Sequence, residues 1–194
     1  MAFNIEYDFF SLDNVLAKQR MDGNIIISKL EPKIKIPSYF NKIDVKLDNF
    51  NYAQDIRKII EPISRKVEKF GFSHNIFTGL YEALLNAYQH GNKFDDDKKL
   101  ILGSNYNEDK LEFIVGDSGK ILHKNFFRFI LKHRERTDNG SSFINWYKFS
   151  GELRSNINNG TGTSFMHAYF DNIKYFNSLD TKGLGVYLAK QNKS

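Results

Sequence analysis

Three polar side chains recur at intervals of four in the segment GLYEALLNAYQHGN, residues 79 to 92. They are the carboxylate of Glu82, the amide of Asn86 and the imidazole of His90. On an α-helix this spacing places all three in one line. Carboxylate and amide oxygens bind hard cations such as Mg²⁺, and a carboxylate can also take a proton from a reacting hydroxyl. A metal ion or a reacting hydroxyl group is therefore a natural partner for this line.

The apolar residues of the same helix show which way the polar line faces. At about 100° per residue they share one arc that a sheet can cover. They are Ile76, Leu80, Ala83, Leu84 and Ala87. The polar line and Gly79 fall in the neighbouring arc, so they border the buried face and look into a cleft. A carboxylate in such a place loses hydration unless a cation or a proton donor compensates.

A purely structural interpretation of these residues stays open. Glu82 and Asn86 can be a surface pair at positions i and i+4. His90 can simply close the helix before Gly91, which suits a helix C-terminus. Two further stretches of the sequence bear on this choice.

The first is FIVGDSGK, a strand-like stretch that ends with Asp117 and Gly119. A carboxylate at a strand end can accept hydrogen bonds from a ligand, and glycine lets the ligand approach the backbone closely. Taken alone, the stretch also fits an ordinary turn.

The second is NNGTGTSFM, in which Gly160, Thr161 and Gly162 precede a helix that begins at about Thr163. Free backbone N–H groups and the N-terminus of the helix form an anion site suited to phosphates. A lone Gly-x-Gly is a weak signal, because neither a GxGxxG fingerprint nor a GxxxxGK[ST] loop is present.

The elements that must position these residues are predicted from the hydrophobic patterns between positions 42 and 192. The sequence predicts a strand KIDVKL, a helix from Tyr52 to Phe70 broken mildly at Pro62, and a helix opened by Ser73 as N-cap. Two strands, KKLILGSNY and KLEFIVGD, then meet at the turn NEDK. After the helix from Thr163 to Phe170, the strands NIKYFNS and LGVYLAK are predicted to pair as a hairpin. The fold class is α/β.

Two parts of the chain stand apart from this core. Residues 1–44 read as an N-terminal extension without an assigned function: a helix from Asp13 to Arg20, the turn MDGN and the strand-like NIIISKL and KIKIP. Residues 45–192 form the domain, and its irregular segment at about 120–159 is predicted to be a lid or binding loop. The lid is aromatic, and its aromatic side chains fit either extra core or a protein-docking role. They include Phe143, Trp146 and Phe149.

Composition excludes several classes of protein. The 194 residues contain no cysteine, which rules out disulfides, thiolate zinc sites and cysteine nucleophiles. No apolar run approaches the roughly 20 residues of a membrane span, and the N-terminus lacks a secretory pattern, so we expect a cytoplasmic protein without membrane contact. The formal charge of +5 is spread along the chain, which makes nucleic-acid binding the less favoured interpretation. That interpretation would use the basic segment around the lid helix, with Arg128, Lys132, Arg134 and Arg136.

In their order and spacing these motifs resemble the GHKL ATPase fold, also called the Bergerat or histidine-kinase-like ATPase domain. The short form most similar to this chain is that of the anti-sigma factor serine kinases of bacterial sporulation and stress responses. EALLNAYQHGN resembles the N box, VGDSGK the first glycine box, and GTGTSFMHAYFDNIKYF the second glycine box with its helix and strand. The resemblance covers about Val45 to Lys190. It implies a two-layer α+β sandwich whose mixed, largely antiparallel sheet is covered on one face by helices.

The resemblance also implies roles for individual residues. Asn86 would coordinate Mg²⁺ at the ATP phosphates, and Glu82 would be the base that takes a proton from the attacking hydroxyl. Asp117 would accept a hydrogen bond from the adenine amino group. The remaining candidates would shape the nucleotide site: His90 and Gly91 at the helix end, Gly119 beneath the base, and Gly160, Thr161, Gly162 and Thr163 around the phosphates.

Two departures from the family pattern are visible. The first glycine box usually continues with a second glycine, whereas Lys120 and Ile121 follow Gly119 here. The terminal strand often begins Gly-Thr, whereas Leu184 follows Gly183 here. The first departure bears on the lid hinge and on nucleotide affinity, and the second removes a threonine hydroxyl near the adenine.

The leading hypothesis is an ATP- and Mg²⁺-dependent protein serine/threonine kinase that phosphorylates a serine on a small antagonist protein. The resemblance also implies sequestration of a sigma factor and a homodimer. A two-component histidine kinase is disfavoured, because residues 1–44 contain no histidine to phosphorylate. The alternative is a catalytically silent GHKL-fold module that binds nucleotide or a protein partner.

Overall fold

The computed structural model of the chain describes residues 23–136, 143–154 and 159–192. The helix predicted from Asp13 to Arg20 and the turn TDNGSS lie outside these residues. The described elements are β1 (Ile25–Ile26), a 3₁₀ turn (Ile27–Lys29), β2 (Lys33–Ile34), β3 (Asn41–Asp44), α1 (Tyr52–Lys69), α2 (Asn75–Asn86), β4 (Ile101–Tyr106), β5 (Lys110–Gly116), β6 (Ile121–Leu122), α3 (Phe126–Arg136), α4 (Trp146–Ser150), α5 (Gly162–Tyr169), β7 (Asn172–Ser178) and β8 (Gly183–Gln191).

Six strands form one sheet in the order β2-β7-β8-β5-β4-β3. Strand β2 is parallel to β7, and every other neighbouring pair in this sheet is antiparallel. Strands β1 and β6 pair separately as a short antiparallel ladder. The predicted class is confirmed: the described chain is α+β, with a mixed, largely antiparallel sheet.

Alternating side chains of the central strands enter two different cores, because successive residues of a strand point to opposite faces. In β5, Leu111, Phe113 and Val115 join the large core beneath the helices. Ile114 belongs instead to a second core that includes apolar residues of segment 34–40. Helices therefore cover one face of the sheet, and segment 34–40 packs on the other.

Helix α1 stays continuous through Pro62, where the sequence predicts a mild break. Proline inside a helix removes one backbone hydrogen bond, here the one to the carbonyl of Lys58. Lys58 is exposed, so water can bind that carbonyl. On the opposite side Ile56, Ile60 and Val67 are buried at helical spacing and hold the helix on the core.

None of the described helices combines the length and the apolar character required to cross a membrane. Helix α1, with 18 residues, carries charged side chains along its length, among them Asp55, Lys66 and Lys69.

Helix α2 begins slightly later than predicted, with His74 and not Ser73 at its N-cap. Ser73 Oγ nevertheless accepts a hydrogen bond of 3.2 Å from the backbone N–H of Asn75. After Asn86 the helix widens into a π turn, Ala87–Asn92, and ends at Lys93 in the left-handed conformation. Such π turns are rare and occur frequently at functional sites.

The C-terminal elements form as the sequence predicts. Helix α5 covers Gly162–Tyr169, and β7 and β8 pair along their length as an antiparallel hairpin. The β4–β5 hairpin is also confirmed, with its turn at residues 107–109.

Residues 25–44 are joined to the fold more closely than their sequence indicates. NIIISKL forms the two-residue strand β1 and a 3₁₀ turn in place of one strand. Strands β2 and β3 form the two edges of the six-stranded sheet. The predicted boundary at residue 44 therefore falls at the end of an edge strand and not in a linker.

The described part of the predicted lid contains β6, α3 and α4. It has a small apolar core of its own, formed by Phe129, Ile130 and Ile144. Trp146 and Phe149 pack against that core, whereas the Phe143 side chain is 55% exposed. Of the three aromatic residues singled out from the sequence, Trp146 and Phe149 thus serve as core, and Phe143 is open to solvent.

The position of α2 on the sheet depends on its buried apolar arc. All five residues predicted for that arc are buried: Ile76, Leu80, Ala83, Leu84 and Ala87. We expect Leu84→Ala to lower the free energy of unfolding by about 2–5 kcal/mol, because Leu84 is fully buried and truncation leaves a cavity. Urea denaturation measures this loss. Leu153→Ala is the matched control, since Leu153 is 96% exposed and its truncation should cost less than about 0.5 kcal/mol. Equal losses in the two variants would contradict the assignment of α2 to the core.

Candidate functional site

A cavity of about 200 Å³ lies between α2, the end of β5, the start of α5 and the lid. Seven of the ten residues singled out from the sequence line it: Asn86, His90, Gly91, Asp117, Gly160, Gly162 and Thr163. Gly119 and Glu82 stand directly behind this lining, and Thr161 is the N-cap residue of α5. The three sequence-distant stretches therefore meet at one place.

Asp117 forms one end of the cavity and is only 4% exposed. Its Oδ1 accepts hydrogen bonds from the backbone N–H of Gly119 at 2.7 Å and of Leu184 at 3.3 Å. Both bonds go to the same oxygen, which leaves Oδ2 as the oxygen available to a ligand.

Three glycines crowd around Asp117, and each is needed because a side chain would not fit. A Cβ on Gly91 would overlap Asp117 Cγ, and one on Gly183 would overlap the Asp117 carbonyl oxygen. A Cβ on Gly119 would lie 2.8 Å from the carbonyl oxygen of Gly91. The end of the π turn, the loop after β5 and the start of β8 therefore touch backbone to backbone.

Burial raises the pKa of Asp117 from 3.8 to about 7, against the opposing effect of the two backbone N–H groups and Lys93. The carboxyl group is desolvated, and no arginine or lysine forms an ion pair with it among the described residues. A titratable group whose pKa is shifted by burial inside a cleft is a candidate for ligand binding.

Glu82 lies against the start of α5. A Cβ on Gly162 would overlap Glu82 Oε2 and would lie 3.4 Å from Asn86 Nδ2. Only glycine at this position allows the acid and the amide of α2 to reach the first turn of α5. A similar close approach occurs at Gly79, where a Cβ would lie 2.7 Å from the Phe170 ring.

The Glu82 carboxylate is half-buried, and within the described chain no group donates a hydrogen bond to it. Desolvation raises the pKa of Glu82. Burial of this carboxylate is thus uncompensated by the described residues, which is the situation that a cation or a hydroxyl donor would relieve.

Asn86 and His90 lie further along the same helix and line the cavity. Asn86 Nδ2 contacts the sulfur of Met166 at 3.6 Å. His90 lies within the π turn at the cavity edge, where its side chain is exposed.

The loop before α5 is held by the lid. Gly160 has φ of +70°, and a Cβ there would lie 2.7 Å from the Tyr147 ring. The backbone N–H of Trp146 donates to the Gly160 carbonyl at 2.7 Å. Ser164 Oγ donates a hydrogen bond to the Ile144 carbonyl and accepts one from the Ile144 backbone N–H. Lid and glycine loop therefore form one connected wall of the cavity.

A second connection closes the lid side of the cavity. Glu152 accepts a hydrogen bond from the Trp146 indole N–H at 2.8 Å and lies 3.1 Å from His123 Nε2. All three side chains line the cavity. This group could not be recognised from the sequence, because its members are separated by up to 29 positions and match no motif.

The structure shows what lies at the two positions where the sequence departs from the GHKL pattern that it resembles. Where a second glycine is absent, Lys120 and Ile121 lead into β6, whose residues pair with β1. At the start of β8, Leu184 contributes its backbone N–H to Asp117 and lines the cavity with its side chain. This position therefore adds an apolar residue to the cavity lining and no hydroxyl group.

Two further residues contribute to the site and were not identified from the sequence. Ile27, in the N-terminal segment, is 1% exposed, lines the cavity and donates its N–H to the Lys120 carbonyl. Asn92 is also buried, and its Oδ1 accepts from the N–H of Ser118, which ties the π turn to the loop after Asp117. Asn92 is the last residue of the segment GLYEALLNAYQHGN and could have been counted among the candidate site residues. Nothing in the sequence pattern around Ile27 indicates a ligand site.

The basic segment of the lid helix does not form one exposed row. Arg128 and Lys132 are exposed, but Arg134 is half-buried and donates to the Ile173 carbonyl at 3.0 Å. This arrangement leaves fewer cations on the surface than the sequence spacing indicates.

Comparison with known proteins adds no assignment. A scan of the sequence against protein-family models gives no match. A search of curated proteins likewise gives no match.

The raised pKa of Asp117 predicts a specific pH dependence of stability. The folded protein holds this proton more tightly than the unfolded chain, so its stability should fall as pH rises from about 4 to 7. The shift corresponds to roughly 4 kcal/mol at most. We expect Asp117→Asn to lack this contribution, so the wild type should lose stability relative to the variant between about pH 4 and pH 8. Urea midpoints of both proteins at several pH values measure the difference. A constant difference across this range would contradict the assignment.

Proposed function

We propose that this protein binds ATP with Mg²⁺ in the cavity and acts as a protein serine/threonine kinase of the anti-sigma factor type. Its acceptor would be a serine on a small antagonist protein. The observation that carries the proposal is the meeting of Glu82 and Asn86 with Gly162 at the start of α5, at a cavity that also contains the buried carboxyl of Asp117.

The Asp117 end of the cavity fits a nucleobase that carries an amino group. Asp117 Oδ2 can accept one hydrogen bond when the carboxyl group is ionised, and Gly91 and Gly119 let the π turn and the loop after β5 pack directly against this carboxyl group. Leu184 and Val186 of β8 add apolar surface to the same cavity. Adenine presents an amino donor where guanine presents a carbonyl oxygen. The chemistry of this end therefore favours ATP over GTP.

The α5 end of the cavity fits a phosphate chain and its cation. The first turn of α5 directs unpaired backbone N–H groups toward the end where Gly162 and Thr163 line the cavity. Asn86 and Glu82 supply oxygen ligands of the kind that Mg²⁺ prefers. The described residues contain no cluster of three or more acidic, histidine or cysteine side chains that could hold a metal alone. This agrees with a cation that arrives together with phosphates.

The chain's own residues would perform the transfer by positioning and proton acceptance. ATP supplies the phosphoryl group, and Mg²⁺ neutralises charge on its phosphates. Glu82 would take the proton of the acceptor hydroxyl, and its raised pKa makes it a stronger base than an exposed glutamate. Asn86 would fix the cation, and the α5 N-terminus would stabilise negative charge. The lid wall around Trp146 would limit the access of water.

A silent binding module is the second candidate, and specific observations favour it. The cavity of about 200 Å³ is smaller than typical ligand sites of roughly 300–1,000 Å³. Its lid side is tied down by the Trp146, Glu152 and Ser164 hydrogen bonds. Turnover of ATP by such a site requires the lid to move away, whereas a silent module does not.

Location and partners are proposed together with this activity. A kinase that uses ATP is placed in the cytoplasm, where its nucleotide is available. Sequestration of a sigma factor and formation of a homodimer are included as further activities, and both rest on the resemblance of the motifs. Phe143, 55% exposed on the lid, is an apolar contact available to a protein partner.

Nucleotide binding is tested by calorimetry with ATP and GTP in Mg²⁺. We expect Asp117→Asn to weaken ATP binding about tenfold or more, because the amide nitrogen would replace Oδ2 opposite the adenine amino group. The variant should also lose part of its preference for ATP over GTP. Glu112→Gln is the matched control, since Glu112 is also a buried carboxylate but lies outside the cavity. Equal ATP affinity in all three proteins would remove Asp117 from the site.

Phosphoryl transfer is tested with γ-labelled ATP and protein fractions of the native host. We expect the wild type to label serine in one small protein, and Glu82→Gln to keep its ATP affinity but lower the labelling rate about 100-fold or more. Glu108→Gln, an exposed glutamate in the β4–β5 turn, serves as control. Equal labelling by wild type and Glu82→Gln excludes Glu82 as the base. Tight ATP binding without labelling in any fraction identifies the silent module.

A further inference from the structure

The side-chain amide of Asn86 has a defined neighbour on each side. Its Nδ2 lies 3.6 Å from the sulfur of Met166, and it faces the same helix that begins at Gly162. Asn86 also lines the cavity. The amide therefore bridges the packed contact between α2 and α5 and the open space where a ligand would bind.

The orientation of this amide decides what the cavity can bind. An asparagine amide has one oxygen acceptor and one NH₂ donor on opposite sides, so a rotation by 180° exchanges them. With the NH₂ group toward Met166 and Gly162 of α5, Oδ1 lies on the opposite side of the amide. Directed into the cavity that Asn86 lines, this oxygen would ligate a cation. In the reverse orientation the NH₂ group would face the cavity and would repel the cation.

Met166 is placed to select one orientation. It lies four residues after Gly162, so the two residues share one face of α5 and both meet α2. Met166 contributes to the cavity lining, but its side chain is only 2% exposed, so water has little access to the sulfur. A thioether accepts a hydrogen bond weakly and cannot donate one. The sulfur can therefore accept a hydrogen bond from the NH₂ group of the amide but cannot donate one to its oxygen.

The nearby carboxylate does not account for this orientation. Glu82 Oε2 lies close to Gly162, but no hydrogen bond joins it to Asn86 in the described structure. Among the described residues the sulfur of Met166 is the acceptor that meets the Asn86 NH₂ group.

We propose that Met166 is a positioning residue for the cation site. Its sulfur holds the Asn86 NH₂ group, and this keeps Oδ1 directed into the cavity. The inference rests on the proposed function for the presence of Mg²⁺ with ATP. The orientation of Asn86 is a property of the free protein, however, and is measurable without any ligand.

The first test examines the free protein by NMR. Asn86→Asp assigns the side-chain NH₂ resonances of Asn86 by their disappearance. We expect a nuclear Overhauser contact between the Asn86 NH₂ protons and the Met166 methyl group in the otherwise unaltered protein. Absence of that contact, in a spectrum where the Asn86 protons show other contacts across α5, overturns the proposal.

The second test compares the affinity for ATP in Mg²⁺ with that in EDTA. The wild type defines the gain in affinity from Mg²⁺. We expect Met166→Leu to reduce this gain about threefold, because leucine fills similar volume but accepts no hydrogen bond. Its ATP affinity in EDTA should change by a smaller factor than this.

Controls separate a role in orientation from a role in packing. Ile56→Leu changes a fully buried residue of α1 outside the cavity, and should alter neither affinity. A Met166→Leu protein that keeps the full Mg²⁺ gain overturns the inference about Met166, while ATP binding itself stands. A wild type that binds ATP equally with and without Mg²⁺, or not at all, refutes the cation part of the proposed function instead.

Discussion

The close contact between α2 and α5 is the constraint on which the rest of the site depends. Gly79 and Gly162 have no side chains, so the two helices approach until Glu82 and Asn86 reach the first turn of α5. Any larger residue at Gly162 would push the acid away from the helix N-terminus. The same contact leaves the Glu82 carboxylate half-buried without a partner among the described residues. This uncompensated burial raises the pKa of Glu82.

Asp117 shows how the opposite end of the cavity depends on the absence of side chains. Gly91, Gly119 and Gly183 let three separate segments converge on one carboxyl group, and the resulting burial raises its pKa. The free energy lost in this burial must be offset by the rest of the fold, chiefly by the two apolar cores on either side of the sheet. Such an unfavourable arrangement is more easily understood as a binding feature than as a stabilising one.

Periodicity predicted much of this fold, because helix and strand patterns are local. The buried arc of α2, the two hairpins and the start of α5 all follow from spacing within the sequence. The pairing of β1 with β6 could not be predicted, because it depends on the path of the chain between them. The position of Ile27 at the cavity could not be predicted either, because its sequence pattern is that of any core residue. Pro62 led to the wrong prediction of a mild break in α1. The helix stays continuous because solvent can bind the carbonyl that proline leaves unpaired. The acid, the amide and the glycines were identified by type, but their mutual distances depend on helix packing.

The segment on the far side of the sheet has a consequence for the boundaries of the fold. Residues 34–40 cover Ile114, Phe176 and Tyr187, and strands β2 and β3 pair with β7 and β4 at the two sides of the sheet. A shortened protein starting at Val45 would retain every residue that is proposed to bind nucleotide and would lose only the cavity contact of Ile27. It would nevertheless expose a bare apolar surface and leave β7 and β4 without the neighbours β2 and β3, and both features promote aggregation. The smallest unit that can fold is therefore larger than the part that contains the cavity.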